Sequence, residues 1–186
     1  MRILTVQASK RGATTELAQA IALALRGHGF EVDVAKAADR PLPSGYDAVI
    51  VGSAIYYGRW HADAVQYVEA FASVLRPLPV WLFSSGPIDD SAFTGAIAPV
   101  PQVTRLARDL EVTGHMTFGG KFDPAQAALV DRVWAHGRHG DFRDQSQVEE
   151  WVHRIALRLS PTPISVVSAV PQQRAARSRR STRVPS

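Results

Sequence analysis

Residues 46–53, Tyr-Asp-Ala-Val-Ile-Val-Gly-Ser, run apolar without the polar alternation of a half-exposed strand. Such a segment needs cover on both faces, which a central strand of a parallel sheet gains from helices above and below. The rest of the chain is patterned to supply that setting. Residues 2–8 read as another buried strand. Residues 14–28 read as a helix, because Leu17, Ala18, Ile21, Ala24 and Leu25 recur at helical spacing, with Gly27 and Gly29 where a C-cap falls. Residues 30–34 alternate and suit an edge strand; 40–45 form a loop. A helix follows over 61–75, a strand over 79–84, a helix over 102–110 and a strand over 111–118, broken by Gly119-Gly120. A helix is expected over 125–136. Ser146-Gln147-Val148-Glu149 has capping-box form and opens a last helix, which ends near Leu159 before Pro161 and Pro163. Only about ten residues separate the second and third strands, so a helix there is short or absent. The order β-α-β-β-α-β-α-β-α-α is that of an α/β fold, a doubly wound parallel sheet.

Ligands in such sheets sit beyond the carboxyl ends of the strands, where the strand order reverses. That rule selects the loops Ser9–Thr14, Ser53–His61 and Ser84–Asp90. In the first, Ser9-Lys10-Arg11-Gly12-Ala13-Thr14-Thr15 joins a strand to a helix. The first amides of a helix lack intrahelical partners and carry the positive end of its dipole. Gly12 admits close backbone approach, Ser9, Thr14 and Thr15 add hydroxyls, and Lys10 and Arg11 add charge. Neither the P-loop nor the G-x-G-x-x-G spacing is present, and a phosphate monoester suits so small a loop better than a pyrophosphate. The same residues would also serve a plain strand-to-helix turn with Thr14 as N-cap. In the second loop, Gly52, Ser53 and Ala54 allow close approach. Tyr56, Tyr57 and Trp60 offer flat surfaces for stacking on a planar ring, or for capping the core. The third, Ser84-Ser85-Gly86-Pro87-Ile88-Asp89-Asp90, offers hydroxyls and backbone donors to a ring's polar edge and is equally turn-forming.

Composition narrows the chemistry. The 186 residues suit one domain with a full core, and the absence of cysteine excludes disulfides, thiol redox chemistry and Cys-ligated metals. Any redox activity must come from a bound organic cofactor. No apolar run reaches a membrane span and residues 1–8 read as a strand rather than a signal peptide, so a cytoplasmic location is expected. Residues 161–186 hold five of the 21 Lys and Arg and none of the 17 Asp and Glu, so the +4 net charge belongs to this tail. No specific nucleic-acid partner is expected. The tail, lacking apolar periodicity, is expected to be disordered.

Ser9, Gly12, Thr14, Ala18 and Ile21 stand at the spacing of the first-loop fingerprint of the flavodoxin-like family, which the chain resembles; Gln7 occupies a position usually aromatic there. Residues 46–58 are similar to the third strand and flavin loop of the menaquinone-dependent protoporphyrinogen oxidase subgroup. Phe118-Gly119-Gly120-Lys121-Phe122, the insertion to Gly140 and residues 141–151 resemble that subgroup's C-terminal part. The resemblance, over about residues 2–158, implies a five-stranded parallel sheet of order 2-1-3-4-5 in a domain spanning 1–160. It implies FMN as cofactor. The phosphate would lie on Ser9, Lys10, Arg11, Gly12, Ala13 and Thr14. The isoalloxazine would lie between Ser53, Ala54, Ile55, Tyr56, Tyr57, Gly58 and Trp60 on one side and Ser84, Ser85, Gly86 and Asp89 on the other.

The implied activity is an FMN-dependent oxidoreductase that takes hydrogens from protoporphyrinogen and passes them to a quinone. The alternatives are a flavodoxin-type electron carrier and a non-redox module for a phosphorylated ligand or partner. Implied partners are a small-molecule substrate or a redox protein, a quinone, and peripheral contact with the inner face of the membrane. Arg132, Trp134, His136, Arg138 and His139 would meet propionates or lipid phosphates, or form one face of a solvated helix. His136 and His139, without nearby cysteine or clustered acids, do not make a metal site. His61 would act on a substrate proton or start the next helix.

Overall fold

The computed structural model describes residues 1–86, 97–122, 140–141 and 143–160. The expected helix over 125–136, the basic and aromatic insertion, Asp89 with most of the third loop, and the tail from 161 lie outside these residues.

Five strands form one parallel sheet: β1 (Arg2–Ala8), β2 (Glu31–Lys36), β3 (Ala48–Tyr56), β5 (Val80–Ser85) and β6 (Gly114–Phe118), ordered β2-β1-β3-β5-β6. In chain order of the parallel strands this is 2-1-3-4-5, as the resemblance implies. A further two-residue strand, β4 (Arg59–Trp60), folds back antiparallel on the end of β3. A separate ribbon pairs β7 (Lys121–Phe122) with β8 (Gly140–Asp141).

The apolar run at the centre of the chain becomes the central strand, and its neighbouring residues part to opposite faces. Ile50 enters one core with Ile3, Phe83, Phe118 and residues of two helices, α1 (Ala13–Gly27) and α5 (Gln145–Leu159). Val49 and Val51 enter the other with Leu4, Val6 and Leu82 under α2 (Ala62–Ala70), α3 (Ala72–Leu75) and α4 (Pro101–Leu110). Full burial of each such side chain is worth about 1.5–3 kcal/mol, which is why this strand fixes the register of its neighbours. Gly52 serves that packing. A Cβ there would fall 1.9 Å from the Phe83 ring, so its smallness admits Phe83 and not a ligand, contrary to the expectation from sequence.

Several boundaries differ from the sequence pattern for local reasons. The helix expected over 61–75 is interrupted at Phe71, which leaves helical geometry at φ −106° and lays its ring 4.9 Å from that of Tyr67. The strand expected from 111 begins at Gly114, because Glu111 takes a left-handed cap (φ 54°) and the Val112 amide still donates to the Ala107 carbonyl of α4. The N-cap of α5 is Asp144, whose carboxylate accepts from the Ser146 amide at 2.9 Å and its hydroxyl at 2.7 Å; the capping box sits two residues too late in the sequence reading. Between β2 and β3 stands only a 3-10 turn, Ala37–Asp39, and the loop beyond it is pinned to α2 by the Tyr67 hydroxyl donating to the Pro41 carbonyl at 2.9 Å.

Candidate functional site

Strands β1, β3 and β5 are adjacent and parallel, with Ala8 level with Ser53 and Ala54 level with Ser85. Their carboxyl ends therefore open side by side. The strand order reverses between β1 and β3, so this edge is the switch point.

The first loop forms an open cradle at the start of α1. Gly12 takes φ +83°, where a side chain is strained, and nothing lies within 4 Å of the position a Cβ would take. Gly12, not Thr14, is the N-cap of α1, and no side chain caps the helix start. The Ser9 hydroxyl accepts from the Gly12 amide at 3.0 Å, folding the turn. The amides of Ala13, Thr14 and Thr15 have no hydrogen-bond acceptor among the described residues. Thr14 is fully buried, yet its hydroxyl oxygen finds no partner. The hydroxyls of Thr5 and Thr117 are buried without a partner in the same way. Gln7, two residues before the turn, likewise buries an unpartnered Oε1.

Basic side chains surround the cradle. Lys10 Nζ and the Arg11 guanidinium lie 5.2 and 5.8 Å from the centre of the Tyr56 ring, and the Lys10 amide donates to the Tyr56 hydroxyl at 3.3 Å. Tyr56 thus joins the first loop to the second. Behind it, Glu16 in the first turn of α1 pairs with Arg143 at 2.9 Å and Lys121 at 3.3 Å. Burial pushes the Glu16 carboxyl up, but the hydrogen bonds from Arg143 and Lys121 outweigh it and hold the group below the usual carboxylate range. This cluster ties the β7–β8 ribbon and the approach to α5 to the start of α1.

The second loop is a tight hairpin. Tyr56 pairs with Arg59, and the two residues between them, Tyr57 (φ 51°) and Gly58 (φ 72°), both have positive φ, the geometry that matches strand twist in two-residue hairpins. Tyr57, 57% exposed, stands at the tip. Tyr56 leans on the first loop, and Trp60 points inward. Trp60 is only 4% exposed and its indole N–H donates to the Ser84 hydroxyl at 2.8 Å. Ser53 is also turned inward: its hydroxyl donates to the Ala54 carbonyl at 3.0 Å and accepts from the His61 amide at 2.9 Å. His61 caps α2, with Nδ1 accepting from the Asp63 amide at 3.3 Å.

Beneath β5, the Ser84 hydroxyl also meets His115 Nε2 at 3.0 Å. Burial pushes the His115 imidazole down to about 4, so it is neutral near pH 7. Its strand position carries no spacing motif, and sequence reasoning missed it. Gly86 lies against β6, its amide donating to the Phe118 carbonyl at 2.8 Å, and a Cβ on it would fall 2.9 Å from the Thr117 methyl. The structure therefore brings Ser9–Thr14, Tyr56–Gly58 and Ser85–Gly86 to one edge and draws the side chains of Ser53, Trp60 and Ser84 into the support below it. Ala54 is buried and Ile55 partly so, both within β3.

A family model described as the flavodoxin domain matches residues 4–134. The chain belongs to the flavodoxin domain family. Its sheet order is that of a flavodoxin-like fold. Solved structures agree on the fold. An archaeal flavodoxin superposes with a TM-score of 0.59 at 16% identity, covering 85% of this chain and 98% of that one. Flavodoxin 1 from Bacillus cereus gives 0.58 at 16%, covering 86% and 100%. A rubredoxin oxygen:oxidoreductase from Desulfovibrio gigas gives 0.58 at 15%, covering 84% of this chain and 35% of that one. Among curated proteins, protoporphyrinogen IX dehydrogenase [quinone] from Escherichia coli K12 is 30% identical over 86 residues, 45% of this chain and 48% of that protein. The chain thus matches about half the length of these curated relatives. Among the described residues no helix is long and apolar enough to cross a membrane.

Proposed function

We propose that this flavodoxin domain is an FMN-dependent oxidoreductase. The observation that carries the reading is the cradle at the start of α1: three helix amides without acceptors among the described residues, beside a glycine with open space around it. That donor set fits a phosphate monoester. Ser9, Lys10, Arg11, Gly12, Ala13 and Thr14 would hold the phosphate. The ring would rest between the Tyr56–Gly58 hairpin on one side and Ser84, Ser85, Gly86 and Asp89 on the other.

The flavin supplies the electron chemistry; the chain supplies position and polarity. Lys10 and Arg11 offset phosphate charge. Tyr56 holds the cradle and the hairpin in fixed relation through its hydroxyl and its ring. Tyr57 offers a flat, half-exposed face at the tip. The Trp60–Ser84–His115 set anchors the strand end that bears Ser85 and Gly86, and it does so without charge at neutral pH.

Within this reading we assign a protoporphyrinogen-like substrate and a quinone acceptor, on the likeness to the Escherichia coli dehydrogenases. Peripheral contact with a quinone-bearing membrane belongs to the same proposal. The test is a titration of the apoprotein with FMN and with riboflavin, followed by flavin fluorescence and by bleaching with dithionite. FMN is expected to bind far more tightly than riboflavin, since only FMN reaches the cradle. A protein that takes up neither overturns the reading. Turnover of protoporphyrinogen with a menaquinone analogue then tests the substrate; fast electron exchange with a carrier protein and no turnover would instead make it an electron carrier.

A further inference from the structure

A second cavity opens beside the hairpin, away from the cradle. It has a volume of about 430 Å³ and is lined by Gly58 and Arg59 of the hairpin and by Pro101, Gln102 and Arg105 at the start of α4. That volume lies at the lower end of small-molecule sites, near 300–1,000 Å³. Its chemistry is one-sided. Two arginines line it, and among the described residues neither Arg59 nor Arg105 has an ion-pair or hydrogen-bond partner for its side chain. Among the described residues no carboxylate lines it. The Gln102 amide is oriented: its Oε1 accepts from the Trp60 backbone N–H at 3.0 Å, which leaves its NH₂ group as a further donor. The first turn of α4 contains no acid and no side-chain cap to offset the positive end of its dipole.

Two guanidinium forks and an amide donor recognise carboxylate better than any neutral group, because a planar guanidinium meets both carboxylate oxygens at once. Gly58 belongs at once to this cavity and to the hairpin assigned to the ring. We propose that the cavity is a subsite for the carboxylate arms of the substrate, holding the acidic edge of a planar molecule whose reacting part lies against the flavin. The inference deepens the flavin reading and rests on it for the identity of the ligand. The subsite itself concerns only Arg59, Arg105 and Gln102.

The experiment uses protoporphyrin IX, a planar dicarboxylic acid, and its dimethyl ester as probes. Each is titrated in the same nonionic detergent into FMN-treated protein and into apoprotein, following protein fluorescence. FMN affinity is measured separately for every variant. The acid is expected to bind at least about tenfold more tightly than the ester, a difference of roughly 1.4 kcal/mol. The double variant R59Q/R105Q is expected to lose that preference with FMN affinity and melting temperature unchanged, since both side chains are exposed. R59K/R105K, which keeps the charge but loses the fork, is expected to fall between. Equal binding of acid and ester, binding of neither, or an acid preference that survives R59Q/R105Q each overturns the subsite. Failure of FMN to bind, with the acid preference intact in apoprotein, overturns the flavin reading and leaves the subsite standing.

Discussion

The first and third loops of the site begin with serine at the ends of β1 and β5, the two parallel strands that flank β3, and they use it in opposite ways. Ser9 folds a turn whose next amides are left without acceptors and whose buried threonine hydroxyl is left without a partner. Ser84, at the end of β5, is fully occupied, receiving the Trp60 indole N–H and meeting His115. One end of the site keeps donors available at a cost to the chain's own stability. The other satisfies its polar atoms internally and rigidifies the edge. A polar residue at the carboxyl edge of such a sheet is therefore not by itself a ligand contact, and where its hydrogen bonds go decides its role.

The strongest way to break this contrast is at Gly12. Gly12→Val forces a β-branched residue into the left-handed region and fills the open space of the cradle. FMN affinity is expected to fall at least a hundredfold, about 2.7 kcal/mol, as read by flavin fluorescence. A variant that binds FMN normally would show that the cradle is not the phosphate site.

A paired substitution sharpens the contrast next. Ser84→Ala strands a buried indole N–H and an imidazole nitrogen, and should cost about 2 kcal/mol of folding stability in denaturant titration. Ser9→Ala should cost less stability and more FMN affinity. If the two variants behave alike in both measurements, the division of labour between the loops is wrong.

The smallest expected effect is a pH slope. Folded, His115 takes up its proton only near 4, where an exposed imidazole does so near 6.5. Between these values the unfolded chain binds more protons than the folded one. Stability is therefore full above pH 6.5 and declines as pH falls toward 4, by up to about 1–2 kcal/mol for this group. His115→Gln should remove that part of the slope, measured as the difference in melting temperature between pH 7 and pH 4.5. An unchanged slope would place His115 outside the buried set.

Much of this architecture is legible in the sequence because it follows from burial. The run at 46–53 became the central strand, the alternating segment after Phe30 became an edge, and the missing helix between strands two and three is a single 3-10 turn. What was not legible depends on single side-chain choices. Gly52 looks like ligand clearance in sequence, but its space is taken by Phe83 from the next strand, a contact that only the register creates. Asp144 rather than Ser146 caps α5, because either residue satisfies the same local rule. Trp60 looked like a stacking surface, and its inward turn follows from the hairpin, which reverses the chain after Gly58. His115, Arg59 and Arg105 had no pattern to single them out, since they acquire meaning from neighbours distant in the chain.

The hydroxyl of Ser53 bonds across the base of the hairpin to the His61 amide and so closes the segment from 53 to 61 into a ring. A closed ring keeps its outline when its apex is exchanged. Position 57 is then an interchangeable bezel. Replacing Tyr57 with histidine, tryptophan or asparagine changes which surface faces outward while the setting beneath it stays the same, and a series at this one residue would isolate the influence of that surface from the influence of the frame.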